Sequence, residues 1–197
     1  MRLGSESPSE RAGKLLRSLL WRRLDVPALE HFRLWENPDG PRLEGTIVAA
    51  LEGAPLEVRY TVACSPTWET RRARVELETE NEARALELDA DEAQAWSLNG
   101  RRINELTGCR DVDLGITPST NILPIRRLAL EIGEGREVTA AWVRFPDLAV
   151  TTLPQRYTRL AERCYRYESR GGSFTAELEV DDLGLVERYG DFWERVG

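Results

Sequence analysis

Histidine and lysine are nearly absent from this chain, and their scarcity limits the chemistry it can perform. His31 is the single histidine and Lys14 the single lysine among 197 residues. One histidine argues against a Ser-His-Asp or Cys-His arrangement, unless another base substitutes, and against a histidine-based zinc site. A glycine-rich phosphate loop before a helix is also missing, which argues against nucleotide binding. We therefore predict no cofactor and no resident metal, and we interpret His31 as a surface or capping residue.

Cysteine is scarce as well. Cys64, Cys109 and Cys164 are odd in number and widely spaced, so they fit neither a disulfide framework nor a C-x-x-C metal knuckle. Reduced and mostly buried thiols are the expected state. The chain has no apolar run long enough to span a bilayer, and its first fourteen residues lack the apolar centre of a signal peptide. We predict a cytoplasmic protein without a transmembrane segment.

The chain also has no basic excess. Its net charge of −7 disfavours nucleic-acid binding through a positive field. Hydrophobic residues make up 41% and charged residues 31%, which is a globular composition, and the length suits one domain. We predict a disordered or loosely attached extension over residues 1–13 and a single β-roll domain over residues 14–197. The oligomeric state stays open.

Alternating apolar and polar residues predict many β-strands. Leu56, Val58, Tyr60, Val62 and Cys64 share one face of an extended segment, and polar residues occupy the other. The same alternation predicts further strands over residues 73–79, 84–88, 140–145, 150–157, 164–169 and 173–180.

The turns between these segments predict the fold class. Asn99-Gly100 is the strongest hairpin signal in the chain, and Gly171-Gly172 is a second one. Because one face of each strand is charged, the sheet is expected to be wet on one side and rolled over a core on the other. The prediction is a mainly β fold, a single-domain antiparallel β-roll or partly open barrel of about ten or more strands with few short helices.

Three segments of the sequence have features of a helix. Residues 12–20 have helical apolar spacing and basic residues, which suits an amphipathic helix on an anionic membrane. The favoured interpretation there is a short docking helix or a first core strand from Leu19 to Leu24. One or two helical turns are predicted after Ser119, and a short C-terminal helix around Asp191 to Arg195.

The stretch from Asp111 to Leu130 is the densest group of polar residues between apolar ones. Asp111 and Asp113 face the same way on an extended segment, so they could hold a divalent cation or act as an acid and a base. The favoured alternative is structural: one aspartate braces the following turn, and the other pairs with Arg126 or Arg127. Candidate N-caps for a short helix containing Pro124 are Thr117, Ser119, Thr120 and Asn121.

Aromatic residues form a second group of candidates. The chain has six tryptophans and five tyrosines, and we expect at least four of the tryptophans to be core residues. Trp68 is the least core-like, because it follows Pro66 at a strand entrance and precedes Arg71. Tyr165 and Tyr167 share one strand face. A concave sheet bearing aromatic and arginine side chains would suit an amphiphile.

Several segments together resemble the putative glycolipid-binding family of bacterial proteins of unknown function. The most specific is DVDLGITPSTNILPIRRLAL, at residues 111–130. The others are AAWVRFPDLAV, QRYTRL, CYRYES, VDDLGLVERYGDFW, WRRLDVPALEHFRL, RYTVACSPTWETRRARV and WSLNGRRI. The similarity covers residues 21 to about 193, and one departure is Ala28, where members of the family tend to have glycine. The resemblance implies a β-rich roll and glycolipid binding, and it supplies no catalytic residues to carry over.

The leading hypothesis is a cytoplasmic module that binds a glycolipid or another amphiphilic small molecule in the rolled sheet. The candidate ligand-binding residues are Asp111, Asp113, Asn121, Arg126, Arg127, Trp68, Arg71, Tyr165 and Tyr167. The acidic and amide groups would bind hydroxyls, an arginine would meet an anionic head, and Trp68 or Tyr167 would stack on a ring.

Two alternatives stay open at this point. One is a carboxylate-dependent hydrolase that uses Asp111 and Asp113. The other is a structural or partner-binding protein with no small ligand. A filled interior would exclude lipid binding inside the roll.

Overall fold

A computed structural model describes residues 13–51 and 53–197, so the predicted extension lies almost wholly outside it. Fifteen strands and one α-helix run through the described residues. They are β1 Lys14–Arg23, β2 Ala28–Asn37, β3 Gly40–Leu51, β4 Ala54–Cys64, β5 Thr70–Thr79, β6 Ala83–Ala90, β7 Trp96–Leu98, β8 Arg101–Ile103, β9 Asp111–Leu114, α1 Ile122–Leu128, β10 Gly135–Val143, β11 Val150–Ala161, β12 Cys164–Ser169, β13 Phe174–Val180, β14 Val186–Tyr189 and β15 Trp193–Arg195. Along these residues no helix is long and apolar enough to cross a membrane.

All fifteen strands belong to one sheet, in the order β8-β7-β6-β5-β4-β3-β2-β1-β15-β14-β13-β12-β11-β10-β9. Neighbouring strands are antiparallel, apart from the parallel pair β9–β10. The predicted fold class, a mainly β and mostly antiparallel roll with little helix, is therefore confirmed.

The two edge strands, β8 and β9, are consecutive in the chain and are joined by residues 104–110. The sheet must therefore roll until its opposite edges approach one another. The backbone N–H of Thr70, on β5, donates to the carbonyl of Arg110 at 2.9 Å. The roll does not close into a barrel, but the free edge of β9 is covered. Val112 N–H donates to Thr70 Oγ1 at 3.0 Å, and Leu114 N–H to Thr120 Oγ1 at 3.4 Å.

A parallel pair needs a crossover connection, and residues 115–134 provide it between β9 and β10. A 3-10 turn, Ser119–Asn121, leads directly into α1. The helix ends at Leu128, and the next residue, Ala129, is left-handed (φ 46°) and donates its N–H to the carbonyl of Ile125. The predicted helix after Ser119 is confirmed.

The crossover passes through the inside of the roll and fills it. Every residue from Ile116 to Ile125 is buried, and we call this segment the plug. Around it lie the inward residues of the first six strands, among them Trp21, Phe32, Leu34, Leu43, Ile47, Val58, Val62, Val75, Leu77 and Leu88. Because the plug fills this part of the interior, a lipid chain does not fit inside the roll where the plug lies.

Two helix interpretations were wrong. Residues from Lys14 to Arg23 form β1 rather than an amphipathic or docking helix. The alternative of a first core strand from Leu19 to Leu24 is borne out, although the strand begins at Lys14 and ends at Arg23. A bulge between Leu15 and Arg17 breaks the two-residue period there, so the apolar spacing imitates a helix. No helix forms at the expected position around Asp191 to Arg195. The strand β15 lies there and pairs with β1 on one side and β14 on the other.

The hairpin prediction at Asn99-Gly100 is confirmed, since these two residues join β7 to β8. Both have positive φ, 49° and 78°, as a two-residue type I′ turn requires. The later strands also lie close to their predicted positions. The two glycines at 171 and 172 lie in the turn between β12 and β13.

Candidate functional site: a groove lined by aromatic residues

The plug takes part in a sealed polar network around Glu30. Glu30 is an inward residue of β2 and is fully buried. The hydroxyl of Tyr60 donates to its Oε1, and Thr117 Oγ1 donates to the same oxygen at 2.9 Å. Ser119 Oγ lies 2.6 Å from the Tyr60 hydroxyl. We call these four residues the closed network, because none of them reaches solvent to a substantial extent.

Burial determines the protonation of this network. It raises the pKa of Glu30 to about 8, against the opposing effect of the Tyr60 and Thr117 hydrogen bonds. Glu30 Oε2 has no hydrogen-bond partner among the described residues. Because an unpartnered oxygen is costlier to bury in a carboxylate than in a carboxylic acid, this favours the protonated form of Glu30. Gly45 leaves room for Tyr60, since a Cβ at this position would lie 2.2 Å from the tyrosine ring.

Asp111 is sealed by an ion pair. Arg127, on α1, donates to it through Nε at 3.0 Å and through Nη2 at 2.5 Å. Burial raises the pKa of Asp111 and the Arg127 guanidinium opposes that shift. The predicted pairing of one aspartate with Arg126 or Arg127 is therefore observed, with Arg127 as the partner. Among the described residues no group of three His, Cys, Asp or Glu side chains is placed to hold a metal ion.

Asp113 has a different environment from Asp111, although both lie on β9. Its side chain is half-buried and receives a hydrogen bond from Nε2 of Gln155 on β11, at 2.5 Å. The same amide nitrogen donates to the hydroxyl of Tyr167 at 3.0 Å. Burial raises the pKa of Asp113 to about 6, and the Gln155 hydrogen bond opposes this. We call Asp113, Gln155 and Tyr167 the open cluster.

The open cluster faces a cavity of about 320 Å³ at one end of the roll, which we call the aromatic groove. Six rings line it: Trp142, Tyr167, Phe174, Tyr189, Phe192 and Trp193. Tyr167, Phe174 and Tyr189 contact one another edge to face, with centroids 6.0 to 6.3 Å apart. Asn121 and Thr117 of the plug also contribute to the lining. The size and mixed lining are those of a small-molecule site.

Three turns bring these residues together. The β1–β2 and β14–β15 turns are tied by the N–H of Leu24, which donates to the carbonyl of Phe192 at 2.8 Å. The β12–β13 turn supplies Arg170, which also lines the groove. Arg23 lies over the ring of Trp193 at 5.7 Å, and Arg170 over the ring of Trp142 at 5.6 Å. The groove is therefore lined by aromatic rings and one carboxylate, with the cationic side chains of Arg23 and Arg170 at its rim.

A second groove lies at the other end of the plug. The Arg126 guanidinium lies 5.4 Å from the centroid of the Trp68 ring, and both residues line a cavity of about 270 Å³. Leu16, Leu34 and Leu183 contribute its apolar wall. A third, larger and mostly polar cavity, of about 630 Å³, is lined by Arg127 and Gln155 among others.

The structure thus separates the predicted site residues. Asp113, Asn121 and Tyr167 meet in the aromatic groove, whereas Trp68 and Arg126 meet in the second groove. Asp111 and Arg127 pair with each other. Arg71 bonds Glu69 and the carbonyl of Asp91, and the buried ring of Tyr165 lies beneath Arg159.

The predicted helix caps are not formed. Asn121 precedes α1 without a capping bond, because its amide donates to the Pro118 carbonyl and its oxygen accepts from Tyr157. Thr117 Oγ1 instead accepts from the Ser119 N–H at 3.0 Å.

Sequence reasoning missed Glu30, Gln155, Trp142 and Arg170. Glu30 had a usable signal, since it is a charged residue on the inward face of β2, between Ala28 and Phe32. Arg170 and Gln155 had none, since each depends on contacts between distant strands.

Comparison with known proteins places the chain in a family. The family model described as "Putative glycolipid-binding" matches residues 18–195. The crystal structure of a DUF1089 family protein from Pseudomonas aeruginosa, at 1.80 Å resolution, has a TM-score of 0.80 and 32% sequence identity to the chain, and the match covers 100% of both chains. No curated protein matches. Because the family match extends over most of the sequence, the chain belongs to the family described as "Putative glycolipid-binding".

Proposed function

We propose that the protein binds the sugar portion of a glycolipid, or of another sugar-bearing amphiphile, in the aromatic groove. The observation that carries this proposal is the half-buried Asp113 carboxylate, held by Gln155 within a wall of six aromatic rings. The description of the family supports the same ligand class.

The chemistry of the groove matches that of a sugar. A sugar ring has hydroxyl groups at its edge and C–H groups on its faces. A carboxylate accepts charge-assisted hydrogen bonds from hydroxyls, and an aromatic face packs against the C–H groups. Asp113 and Asn121 provide polar groups, and Trp142 is a half-buried ring at the side of the groove.

The apolar tail of such a ligand remains outside the roll in this proposal. The plug occupies the interior, and its buried polar groups already have partners there. Phe174 and Phe192 contact each other, with centroids 5.4 Å apart, and both are only partly buried. These two rings provide an apolar path along which the start of a tail can pack.

The test is a comparison of two amphiphiles with the same tail. Octyl β-D-glucopyranoside and tetraethylene glycol monooctyl ether, both kept below their critical micelle concentrations, are titrated while the tryptophan fluorescence and the heat of binding are recorded. We expect saturable binding of the glucoside alone, with a fluorescence change from Trp142 and Trp193. Equal binding of the sugar-free ether would overturn the proposal.

Variants locate the binding site. Asp113→Asn and Trp142→Ala are expected to weaken glucoside binding, whereas Asp39→Asn, on the β2–β3 turn outside the aromatic groove, serves as the matched control. Thermal unfolding of each variant shows whether it retains the fold. Unchanged affinity in both groove variants would place the sugar elsewhere.

The cytoplasm is the compartment that we propose for this function. Cys64, Cys109 and Cys164 are all free thiols, and the first two are buried. Such thiols suit a reducing compartment. Labelling of Cys164, which is only partly buried, with a membrane-impermeant thiol reagent would test this, since a cytoplasmic protein is labelled in lysed cells but not in intact ones.

A hydrolase is the second candidate, and one observation favours it. A pKa of about 6 suits Asp113 to general-base work near neutral pH. Asp111 does not supply the second carboxylate, because Arg127 binds both of its oxygens. Turnover of 4-nitrophenyl glycosides that disappears in Asp113→Asn would establish this function in place of simple binding.

A further inference from the structure

We infer that the aromatic groove selects an anionic sugar amphiphile, whose phosphate, sulfate or carboxylate group pairs with Arg170. This inference rests on the proposed function, and it names the class of ligand more narrowly.

The two cationic side chains at the rim of the groove differ in their pairing. Arg23 donates to both oxygens of Asp25, at 2.7 and 3.0 Å, so its charge is neutralised within the protein. Arg170 is exposed, and it makes no ion pair with any carboxylate in residues 13–51 and 53–197. The groove therefore has one uncompensated cation at its rim.

Several arginines of the described chain lie over aromatic rings, and most of these arginines also bind a carboxylate or a carbonyl group. Arg33 and Arg42 share Glu44, and Arg159 bonds the carbonyls of Leu130 and Glu162. Within the described chain, the stacked arginines without a carboxylate or carbonyl partner are Arg126, in the second groove, and Arg170. Only Arg170 lies in the same groove as Asp113.

The backbone at Arg170 is held in an uncommon conformation. Its φ of 52° lies in the left-handed region, which arginine seldom adopts. Ser173 Oγ donates to the Arg170 carbonyl at 3.0 Å, and Gly171 and Gly172 continue the turn with φ of 66° and 87°. From this turn the Arg170 guanidinium lies over the Trp142 ring, 5.6 Å from its centroid.

The position of the guanidinium suits an anion. Stacked against the indole of Trp142, it keeps the N–H groups at its edge available for a planar or tetrahedral anion. Tyr167, whose hydroxyl accepts from Gln155, lines the same groove as Asp113 and Arg170. Sugar hydroxyls can therefore bind Asp113 while the negative group of the same ligand binds Arg170.

The experiment compares two ligands that differ in one group. Octyl β-D-glucuronopyranoside has a carboxylate where octyl β-D-glucopyranoside has a hydroxymethyl group. We expect the wild-type protein to bind the glucuronide about tenfold more tightly at low salt, because a hydrogen-bonded charge pair forms. The preference should decline in 0.5 M sodium chloride, which screens an exposed pair.

Variants assign the preference to one residue. Arg170→Gln is expected to reduce the affinity ratio of glucuronide to glucoside to about one. Arg166→Gln is the matched control, because Arg166 is an exposed arginine on β12 outside the groove, and it should keep the wild-type ratio. Arg170→Lys keeps the charge without the planar fork and should give an intermediate ratio. Circular dichroism confirms that each variant folds.

The outcomes separate the two proposals. If both octyl glycosides bind equally and Arg170→Gln changes nothing, the anionic inference is overturned and sugar binding stands. If neither binds, the proposed function fails. If octyl sulfate binds as tightly as the glucuronide, in an Arg170-dependent way, Arg170 is an anion site and recognition of the sugar is overturned.

Discussion

Thr117 belongs to the closed network around Glu30 and also lines the aromatic groove that the open cluster around Asp113 faces. Both contain a carboxylate whose pKa is raised by burial, to about 8 for Glu30 and about 6 for Asp113. In the closed network, hydroxyl groups of Tyr60 and Thr117 occupy one carboxylate oxygen and protein surrounds the other. In the open cluster, one amide holds the carboxylate and the remaining space is the aromatic groove.

The difference shows that a raised pKa alone does not identify a site. Desolvation shifts both carboxyl groups in the same direction, whatever their role. The two carboxyl groups differ in what surrounds them. Glu30 is enclosed by protein, with the Tyr60 ring packed against Gly45, whereas Asp113 faces the aromatic groove. Asp111, on the same strand as Asp113 but sealed by Arg127 of α1, gives the first test of this distinction.

The largest effect is expected at Asp111. Asp111→Ala should lower the free energy of unfolding by about 3 to 5 kcal/mol, because Arg127 loses its partner in a mostly buried position. Asp113→Ala should cost about 1 kcal/mol, since only the Gln155 hydrogen bond is lost. Urea denaturation measures both. The double variant Asp111→Ala/Arg127→Met should be less destabilised than Asp111→Ala alone, and equal losses at the two aspartates would contradict the comparison.

A smaller effect is expected when each cluster loses a tyrosine hydroxyl. Tyr60→Phe removes one of the two hydrogen bonds to Glu30 Oε1 and leaves Ser119 Oγ without its buried partner, which should cost about 1 to 3 kcal/mol. Tyr167→Phe should cost less than that, because its hydroxyl borders the groove and water can replace it as the acceptor for Gln155. The measurement is again the free energy of unfolding in urea. A greater loss in Tyr167→Phe would show that the open cluster is the more tightly sealed of the two.

The pH dependence of stability should separate the two carboxylates. A folded-state pKa above the unfolded value gives stability at low pH that is lost as the pH rises through the folded pKa. For Asp113 that loss lies between pH 3.8 and about 6, and for Glu30 between pH 4.5 and about 8. The slope from either group is at most about 1.4 kcal/mol per pH unit.

Glu30→Gln should therefore flatten the decline in stability between pH 6 and 8, whereas Asp113→Asn should leave that window unchanged. Urea denaturation at intervals of half a pH unit gives the slope for each variant. Retention of the full slope above pH 6 in Glu30→Gln would mean that another group titrates there.

Local patterns were enough to predict most of the sheet but not the partners inside it. The alternation from Leu56 to Cys64 and the Asn99-Gly100 turn reflect neighbours in the chain, and the corresponding strands and hairpin are present. The bulge after Leu15 hid the first half of β1 and left a helix as an alternative there, because it breaks the two-residue period of a strand. The parallel β9–β10 pair depends on the whole crossover, which no short pattern encodes.

The candidate site was less predictable for the same physical reason. Asp113 and Tyr167 were both predicted to bind the ligand, and the structure places them in one cavity, but their binding role stays a prediction. Gln155, which joins them, lies 42 residues from Asp113 in the chain. Arg170 is one of many arginines, and only the strand pairing that brings its turn against Trp142 distinguishes it.

The smallest effect is expected in ligand binding, and it bears most directly on which carboxylate is accessible. Ionised Asp113 accepts hydrogen bonds from sugar hydroxyls better than the neutral acid does, so affinity for octyl β-D-glucopyranoside should rise a few-fold between pH 5 and 7. Asp113→Asn should remove this dependence, since an amide does not titrate. Glu30→Gln should keep it, because Thr117 separates Glu30 from the ligand. Titration calorimetry with the neutral glucoside avoids any charge on the ligand itself. If the rise disappears in Glu30→Gln and persists in Asp113→Asn, the sealed carboxyl group would be the one that senses the ligand, and the distinction between the two clusters would be reversed.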